Sequence, residues 1–341
     1  MTSEARPDWS DTDGIETTTD APPCIIITGA NGTIGTTIIK ELIARGHKTE
    51  HIIGISNDEA GLLALHRDTG IYTYICDIRS PHLNFVLSNI TSRHLRTYLI
   101  HCAALKDVVN CQRHPREAAS VNVDGVRNTL DACKAADVDR FLFVSTDKAV
   151  DPTNVMGMTK ALGEQLVLEM HYRDKLEASA VRFGNVLWSR GSVLRVWDEE
   201  VAKGNRLTVH DLGCWRFLIS EKSAAQFIIK RLFDFTPGVI FVPHLDQYTV
   251  FDLLEAYQDT LPPDHPSRQP PRVIGLQKGE KRTEAMWSDY EAHYVKAFSD
   301  HSIIRSPYYG EVERSEPSQY PGDMYPQEIP AIKKLIREAK P

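Results

Sequence analysis

Short apolar runs alternate with longer segments of helical periodicity over the first half of the chain. The apolar runs predict strands at CIIIT (24–28), HIIGI (51–55), IYTYI (71–75), TYLIH (97–101), RFLFVS (140–145) and ASAVRF (178–183). Helices are predicted between them at 33–45, 58–67, 115–135 and 153–173. Continuously apolar strands separated by helices indicate a parallel sheet covered on both faces. The expected fold class is therefore α/β, with a doubly wound parallel sheet and a smaller C-terminal region.

Changes in polarity along the chain suggest its domain boundaries. Residues 1–22 are acidic, polar and unperiodic, which predicts a disordered tail. Residues 23–183 are expected to form the sheet domain, with 221–243 returning to it, while 184–220 and 244–341 form the second region. In that region, LPPDHPSRQPP (261–271) predicts a surface loop before a strand, and IPAIKKLIREA predicts a final helix.

Composition excludes several classes of protein. The chain has 341 residues, of which 42% are hydrophobic, enough for a sizeable core. Its net charge of -7 argues against nucleic acid as a main partner. The six cysteines form no C-x-x-C pair, and no apolar run has the length of a membrane span. We therefore expect a cytoplasmic protein with reduced thiols, no metal site and no membrane partner.

A glycine motif follows the first predicted strand and opens the first predicted helix. In TGANGTIG, Gly29, Gly32 and Gly35 are spaced G-x-x-G-x-x-G. Glycine permits a tight turn and close approach of a pyrophosphate, and the helix N-terminus supplies free N–H groups. The motif predicts a Rossmann dinucleotide site that includes Asn31, Thr33 and Ile34. The alternative is a purely structural glycine turn.

The glycine spacing resembles that of the short-chain dehydrogenase/reductases. The resemblance implies that further cofactor contacts follow the parallel strands, whose carboxyl ends line the ligand crevice of a doubly wound sheet. These contacts are Asp77 and Ile78 after the third strand, Ala103, Ala104 and Lys106 after the fourth, Asn122 on the next helix, and Val186.

Six segments of the sequence make the resemblance more specific than the short-chain dehydrogenase/reductases as a whole. They are TGANGTIG, AALKDV, STDKAVDPTNVMGMTKALGE, RFGNVLWSRGSVL, LTVHD with WRFLIS, and GEKRTE. Together they resemble the extended short-chain dehydrogenase/reductases that are UDP-N-acetylglucosamine 4,6-dehydratases of bacterial polysaccharide biosynthesis. The Tyr-x-x-x-Lys pair common in such enzymes is here Met156 and Lys160, and methionine is a known variant in this group.

The resemblance implies a mechanism. The sugar is oxidised at C4 by hydride transfer to the nicotinamide, water is eliminated across C5 and C6, and hydride returns to C6. Asp147 would be the general acid at C6 and Lys148 the base at C5. Lys148 must then be uncharged and Asp147 protonated, which burial favours for both groups.

The neighbouring residues would have supporting roles. Lys160 would hold the nicotinamide ribose, and Met156 would pack against the sugar or the nicotinamide, or simply fill the core. The group that deprotonates the C4 hydroxyl is left open among Thr146, a water molecule, and Lys160 through a relay.

The resemblance also assigns contacts to the UDP-sugar. These are Asn185, Gly191, Ser192, Val193 and Leu194, with Arg216 on the diphosphate and Lys106 on a phosphate of either ligand. Glu280 would bind the ribose hydroxyls. The arginine of the family's R-x-G-E-K motif is replaced by Gln277, for which Lys278 or Arg282 could compensate.

The residues after the second strand bear on the choice of cofactor. Ser56 could accommodate a 2′-phosphate, but Asn57 replaces the arginine common in NADP-using relatives. Acidic residues here favour NAD, and Asp58 and Glu59 follow. We therefore expect NAD rather than NADP, tightly bound and recycled. The resemblance further implies a homo-oligomer, a dimer or a hexamer.

Three other functions compete with this hypothesis. A UDP-sugar 4-epimerase needs oxidation at C4 but no acid and base at C5 and C6. A dehydratase could act on another nucleotide sugar, and a non-catalytic homologue could only bind nucleotide, since fold alone does not imply activity. The intact Thr146-Asp147-Lys148 sequence favours a dehydratase.

Overall fold

The computed structural model describes residues 22–309, 312–320 and 329–340. The predicted disordered tail lies outside the described residues, apart from Pro22. The strands are β1 (Cys24–Thr28), β2 (Ile52–Ser56), β3 (Tyr72–Ile75), β4 (Thr97–His101), β5 (Arg140–Val144), β6 (Glu177–Val181), β7 (Asn185–Val186), β8 (Thr208–Val209), β9 (Trp215–Ile219), β10 (Val239–Pro243), β11 (Gln247–Thr249), β12 (Arg272–Val273), β13 (Val295–Ala297) and β14 (His301–Arg305). The helices are α1 (Thr33–Ala44), α2 (Glu59–Thr69), α3 (His82–Thr91), α4 (Val108–Arg113), α5 (Pro115–Ala119), α6 (Gly125–Ala135), α7 (Val155–Asp174), α8 (Val193–Ala202), α9 (Glu221–Phe233), α10 (Val250–Gln258) and α11 (Ile329–Ala339).

The main sheet confirms the predicted fold class. Among the described residues it has nine strands in the order β13-β14-β10-β6-β5-β4-β1-β2-β3. The strands from β3 to β10 pair in parallel, and β14 and β13 add antiparallel pairs at one edge. The order reverses between β1 and β4, which makes the carboxyl ends of these strands the expected ligand crevice.

The apolar strands are buried because helices cover both faces of the sheet. Along β1, Ile26 packs into one layer of the core, while Ile25 and Ile27 pack into the other. All five residues of β1 are buried. The continuous apolar run in the sequence is thus explained by two buried faces and not by a membrane environment. Among the described residues, no helix has the length and apolar character needed to cross a membrane.

Two helical predictions need correction. The segment between β3 and β4 contains α3, which the predicted helices omitted, although Leu83, Val86, Leu87 and Ile90 form a buried stripe. The predicted helix at 115–135 is interrupted by a π-helical segment, Ser120–Asp124, between α5 and α6. A π segment inserts extra residues into the helical turn, so it does not alter the apolar pattern enough to be seen in the sequence.

The boundary of the second region also differs from the prediction. Residues 295–305, which were assigned to that region, form β13 and β14 of the main sheet. The reason is that β14 pairs with β10 over its whole length, from Val239 opposite Arg305 to Pro243 opposite His301. The segment 221–243 forms α9 and β10, and β10 is a strand of the main sheet.

The rest of the second region has its own core. A three-stranded sheet of β11, β9 and β7 and a pair of β12 with β8 accompany helices α8, α10 and α11. Trp188, Trp197 and Tyr257 form its buried centre, against which Ile332 and Ile336 of α11 pack. The predicted loop at 261–271 precedes β12, and the predicted final helix is α11.

Candidate active site

The glycine motif forms a tight turn against the loop that follows β4. Gly29 has a positive φ of +65°, and a Cβ there would lie 2.7 Å from the backbone nitrogen of Ala103. A Cβ on Gly35 would lie 2.5 Å from the Gly29 carbonyl oxygen. Helix α1 starts at Thr33 and Ile34 after Gly32, and no side chain among the described residues caps it. The turn therefore presents free N–H groups at the switch point of the sheet, which fits a dinucleotide pyrophosphate.

An acidic side chain lies beside this turn at the end of β2. Asp58 caps α2 by accepting a hydrogen bond from Gly61 N at 3.0 Å, and it accepts another from Asn31 Nδ2 at 2.6 Å. Ser56 Oγ accepts a hydrogen bond from the Asp58 backbone at 3.2 Å. A carboxylate in this position suits a ribose with a free 2′-hydroxyl. The site is therefore compatible with the predicted preference for NAD.

The loop after β3 is held by ionic contacts. Asp77 accepts three hydrogen bonds from Arg79, two from its side chain at 3.0 and 2.8 Å and one from its backbone at 2.9 Å. It accepts another from Asn57 Nδ2 at 3.2 Å. The hydrogen bonds from Arg79 lower the pKa of Asp77 to about 2. Arg79 also pairs with Glu117 at 2.8 Å, and Ile78 is buried between these residues and α6. Asp77 and Asn57, predicted separately, thus contact each other.

Asn122 fixes the loop that carries Ala103, Ala104 and Lys106. Its buried amide accepts a hydrogen bond from Leu105 N and donates one to Leu105 O, each at 2.8 Å. It donates another to Thr159 Oγ1 of α7 at 3.0 Å. Asn122 lies within the π-helical segment, a distortion often found at functional sites. Asn122, predicted to contact the cofactor, thus contacts the loop after β4 and α7 in this structure.

Two cations lie beside the glycine motif, Lys106 from the loop after β4 and Arg190 from the second region. Lys106 Nζ donates to the Arg190 carbonyl at 2.5 Å, and the Arg190 guanidinium donates to the Asn31 carbonyl at 3.4 Å. The Arg190 backbone also donates to Thr33 Oγ1 at 3.3 Å. Arg190 was not among the predicted residues. Its position beside the start of α1 suits a phosphate group.

The predicted substrate segment after Arg190 begins α8. Gly191 has a positive φ of +77°, and Ser192 precedes the helix with a buried hydroxyl that has no hydrogen-bond partner among the described residues. Val193 is partly exposed, but the Leu194 side chain is fully buried in the second core. Leu194 could therefore contact a sugar nucleotide through its backbone but not through its side chain.

The predicted acid is buried at the end of β5. Beyond that strand, the Asp147 backbone donates to Phe183 O at 3.0 Å and begins a short 3-10 turn. Asp147 Oδ1 accepts hydrogen bonds from Thr146 Oγ1 at 2.9 Å and from Lys148 Nζ at 3.0 Å. Its Oδ2 is buried without a hydrogen bond from the described residues. A buried oxygen without a hydrogen bond carries an uncompensated desolvation cost.

The predicted base has three polar neighbours. Besides Asp147, Lys148 Nζ donates to Asn185 Oδ1 at 2.9 Å and lies 3.8 Å from Glu284 Oε1. Asn185 of β7, beside Val186, was predicted to contact substrate but in this structure orients the lysine. Glu284 was not predicted. It ends the quoted GEKRTE segment, and only the folded chain places it beside Lys148.

Lys160 and Met156 occupy different surroundings on α7. Lys160 Nζ donates to Val144 O at 2.7 Å and lies 4.4 Å from the centre of the Phe143 ring. Burial lowers the pKa of Lys160 to about 8. Met156 is buried in a small cluster with Cys111 and Ala118. The structure therefore agrees with the core-filling alternative for Met156.

Close packing of α7 on the catalytic turn depends on the glycine after Met156. A Cβ on Gly157 would lie 2.2 Å from the Lys148 carbonyl oxygen. Gly157 was not among the predicted site residues. Its signal is the M-G pair within the quoted segment STDKAVDPTNVMGMTKALGE.

The predicted nucleotide residues of the second region form a separate cluster. Arg216 donates to Glu280 Oε1 at 2.9 Å, and His210 Nδ1 lies 2.8 Å from Glu280 Oε2. The Gln277 backbone donates to Glu280 Oε2 at 3.1 Å, while its side chain is exposed. Arg216 and Glu280 thus neutralise each other here. His210, from the LTVHD segment, is an addition to the predicted set.

The sheet and the site together define the class of protein to which this chain belongs. A doubly wound sheet with a glycine turn at its switch point, an Asp-Lys pair after β5 and a buried lysine on the next helix defines an extended short-chain dehydrogenase/reductase. The sequence model of a family described as polysaccharide biosynthesis protein matches residues 25–306. The chain belongs to this family, which confirms the resemblance inferred from its motifs.

Curated relatives carry different names. A protein of Methanocaldococcus jannaschii, called an uncharacterized membrane protein, is 32% identical over 82% of this chain and 85% of its own length. A UDP-N-acetylglucosamine 4,6-dehydratase (inverting) of Campylobacter jejuni is 29% identical over 82% of each chain. A UDP-glucose 4-epimerase of Rickettsia rickettsii is 30% identical over 78% of each chain.

Solved structures show the same fold. Pen from Bacillus thuringiensis is similar with a TM-score of 0.83 and 26% identity, covering 93% of this chain and 98% of that one. A dTDP-glucose 4,6-dehydratase from Streptomyces venezuelae, solved with NAD bound, has a TM-score of 0.68 and 19% identity. It covers 77% of this chain and 87% of its own.

Proposed function

We propose that this protein is a nucleotide-sugar 4,6-dehydratase acting on UDP-N-acetylglucosamine. The observation that carries the proposal is the chain of hydrogen bonds from Thr146 through the buried Asp147 carboxylate to the partly buried Lys148. Elimination of water requires an acid and a base close together beside the sugar. The name of the Campylobacter relative supports the choice of substrate and reaction.

The residues of this chain would move protons at three atoms of the sugar. Lys148 would take the proton from C5, and Asp147 would protonate the hydroxyl leaving C6. Thr146 donates its hydroxyl proton to Asp147, so it offers a route by which the proton of the C4 hydroxyl could restore the acid. Met156 takes no part in proton transfer, since it is buried among apolar side chains.

The glycine turn, Asp58 and Lys160 would hold the cofactor, for which we propose NAD. The glycines let the turn pack directly against the loop after β4 at the start of α1, where a helix N-terminus suits a pyrophosphate, and the NAD-bound structural relative has the same fold. The chemistry that a bound nicotinamide supplies is reversible hydride transfer at C4 and C6. The buried Lys160 ammonium would orient the ribose beside it.

An epimerase is the second candidate, because the Rickettsia relative carries that name. Epimerisation inverts C4 and needs no proton transfer at C5. The Asp147-Lys148 pair would then have no chemical task, although burying the Asp147 carboxylate is costly. This favours the dehydratase.

Mass spectrometry of the reaction product separates the two candidates. Purified protein with UDP-N-acetylglucosamine and NAD should yield a nucleotide sugar lighter by one water molecule. A product of unchanged mass with an inverted C4 would instead identify an epimerase. No conversion, with both ligands bound in calorimetry, would identify a binding protein.

A lysine substitution then tests the assigned base. Lys148→Ala should bind both ligands but lose about 10²–10⁴-fold in dehydration rate. It should also fail to exchange the C5 proton with solvent deuterium. Lys203→Ala, at an exposed lysine, serves as the control. Exchange in Lys148→Ala at the parent rate would show that another residue is the base.

A further inference from the structure

A second carboxylate, that of Glu284, lies beside the proposed base. Glu284 is 4% exposed, and its Oε1 lies 3.8 Å from Lys148 Nζ. Its Oε2 lies 3.4 Å from Lys281 Nζ but accepts no hydrogen bond from the described residues. Asp147, Lys148, Glu284 and Lys281 thus form a row of alternating charges. A buried carboxylate with so few hydrogen bonds is costly unless its charge is used.

The fold fixes Glu284 in this place. Lys281 Nζ donates to Val150 O, at the end of the catalytic turn, at 2.5 Å. Asn154 Nδ2, at the start of α7, donates to Gly279 O at 3.0 Å. From the other side, Gln247 Nε2 donates to the Glu284 carbonyl at 3.0 Å. The segment 279–284 is therefore held against the turn that carries Lys148.

We propose that Glu284 is a positioning residue for the base of the reaction, an inference that rests on the proposed function. Glu284 orients Lys148 and stabilises the ammonium that forms when Lys148 takes the C5 proton. In that step the C5–H bond breaks, its electron pair moves toward the C4 ketone, and an N–H bond forms on Lys148. The electron pair then returns to form the C5–C6 double bond as the C6–O bond breaks, and Asp147 gives its proton to the leaving hydroxyl, which departs as water.

Asp147 cannot replace Glu284 in this task. At the start of elimination Asp147 must hold a proton, and it then carries no charge to attract the lysine. Among the described residues, the other carboxylate that pairs with Lys148 is Glu284. A base oriented by a third, ionised group is the arrangement of the Ser-His-Asp triad, where the carboxylate stabilises the charged base.

The surrounding charges predict the direction of a pH effect. The groups that face Lys148 are Asp147 on its own turn, Asn185 on β7, and Glu284 with Lys281 on segment 279–284. A protonated lysine cannot accept the C5 proton, so the rate falls on the acidic side. Without the negative charge of Glu284, the lysine loses its proton at lower pH. Without the positive charge of Lys281, Glu284 attracts that proton more strongly.

Two variants with opposite charge effects test the inference. Glu284→Gln should lower kcat by at least about tenfold, with the loss bounded by the ~10⁴-fold seen when the triad carboxylate is neutralised. Its acidic limb in the kcat–pH profile should move to lower pH. Lys281→Met should move the same limb to higher pH. KM and NAD affinity should change less than about twofold in both, since neither residue is assigned to ligand binding.

Glu284→Asp distinguishes charge from packing. It keeps the charge on a shorter side chain and should recover part of kcat and the parent pH profile. A kcat and pH profile for Glu284→Gln equal to those of the parent would overturn the inference. So would a loss of kcat with an unmoved acidic limb in both Glu284→Gln and Lys281→Met. If the parent itself releases no dehydrated product, the proposed function has failed instead.

Discussion

At the scale of single residues, Asp58 links helix capping to cofactor choice. Its carboxylate caps α2 and contacts Asn31 of the glycine turn. Serine caps a helix about as well as aspartate but carries no charge. Asp58→Ser should therefore leave the thermal midpoint nearly unchanged and raise NADP affinity relative to NAD by roughly tenfold, ~1.4 kcal/mol. Calorimetry on cofactor-free protein measures both affinities.

The control for this prediction is the acidic neighbour. Glu59→Gln removes a charge in the first turn of α2 without altering the cap. It should shift the preference less than Asp58→Ser does. The parent protein should bind NAD more tightly than NADP, and equal affinities would contradict the assignment of Asp58. Asn57→Arg, which adds the arginine of NADP-using relatives, should favour NADP further.

Lys160 should make stability depend on pH. Burial lowers its pKa from 10.5 to about 8, so the unfolded chain holds this proton more tightly than the folded one. Stability should therefore rise as the pH increases from about 8 to 10.5, by about 3 kcal/mol from this group. Below pH 8 the charged lysine opposes folding by the full amount. Lys160→Met should lack this rise.

Urea denaturation of cofactor-free protein at pH 7 and pH 10.5 measures the effect. The quantity of interest is the gain of the parent relative to Lys160→Met, because other groups titrate in both proteins. Lys203→Met, at an exposed lysine, should behave like the parent. Parallel pH dependence in the parent and Lys160→Met would show that Lys160 is not shifted as described.

At the scale of elements, the glycine turn packs tightly against the loop that follows β4. Gly29 and Gly70 both have a positive φ, +65° and +72°, which costs alanine about 1 kcal/mol. A Cβ at Gly70 would meet nothing within 4 Å, whereas one at Gly29 would lie 2.7 Å from Ala103 N. Gly29→Ala should therefore cost ~1–3 kcal/mol more than Gly70→Ala and abolish NAD binding. Urea denaturation and calorimetry check this, and equal effects of the two substitutions would disprove the close approach.

The elements that the sequence predicted well are those with strong local signals. The first six strands lie within about one or two residues of prediction, a typical boundary error, because each is an apolar run between helices. Helix α3 was missed although its apolar stripe is regular. Strands β13 and β14 could not be assigned, because only their pairing with β10 distinguishes them from a loop of the second region.

At the scale of the whole molecule, the site combines segments far apart in sequence. The glycine turn and the Asp147-Lys148 pair were predictable, since each follows a strand of the sheet and belongs to a recognisable motif. Arg190 and Glu284 were not, because loops bring them in. The paths of those loops depend on tertiary hydrogen bonds, such as that from Asn154 to Gly279, and not on local periodicity. The residues that complete the site therefore come from the parts of the chain with the weakest periodicity of apolar residues.

The buried Arg182 connects α7 to the segment that follows Glu284. Arg182, beyond β6, is 1% exposed and donates to both oxygens of Glu164 on α7 at 3.0 and 2.7 Å. It also donates to Met286 O at 2.9 Å and to both oxygens of Glu291. These contacts fasten the segment after Glu284 to the dinucleotide-binding half. Removal of the guanidinium would leave two carboxylates without their partner.

Arg182→Met should therefore destabilise the protein by about 3–5 kcal/mol, the usual cost of removing one member of a buried ion pair. Arg173→Met is the matched control, because Arg173 pairs with Glu169 on the exposed surface of α7 and should cost less than about 1 kcal/mol. Adding Glu164→Leu and Glu291→Leu to Arg182→Met should recover much of the loss, since an apolar replacement leaves no unpaired charge. Urea denaturation gives the free energy of unfolding of the parent, of Arg182→Met, of Arg173→Met and of the triple variant. If the triple variant is no more stable than Arg182→Met, the arginine acts by its shape and hydrogen bonds to the backbone of Met286, and not by neutralising the two carboxylates.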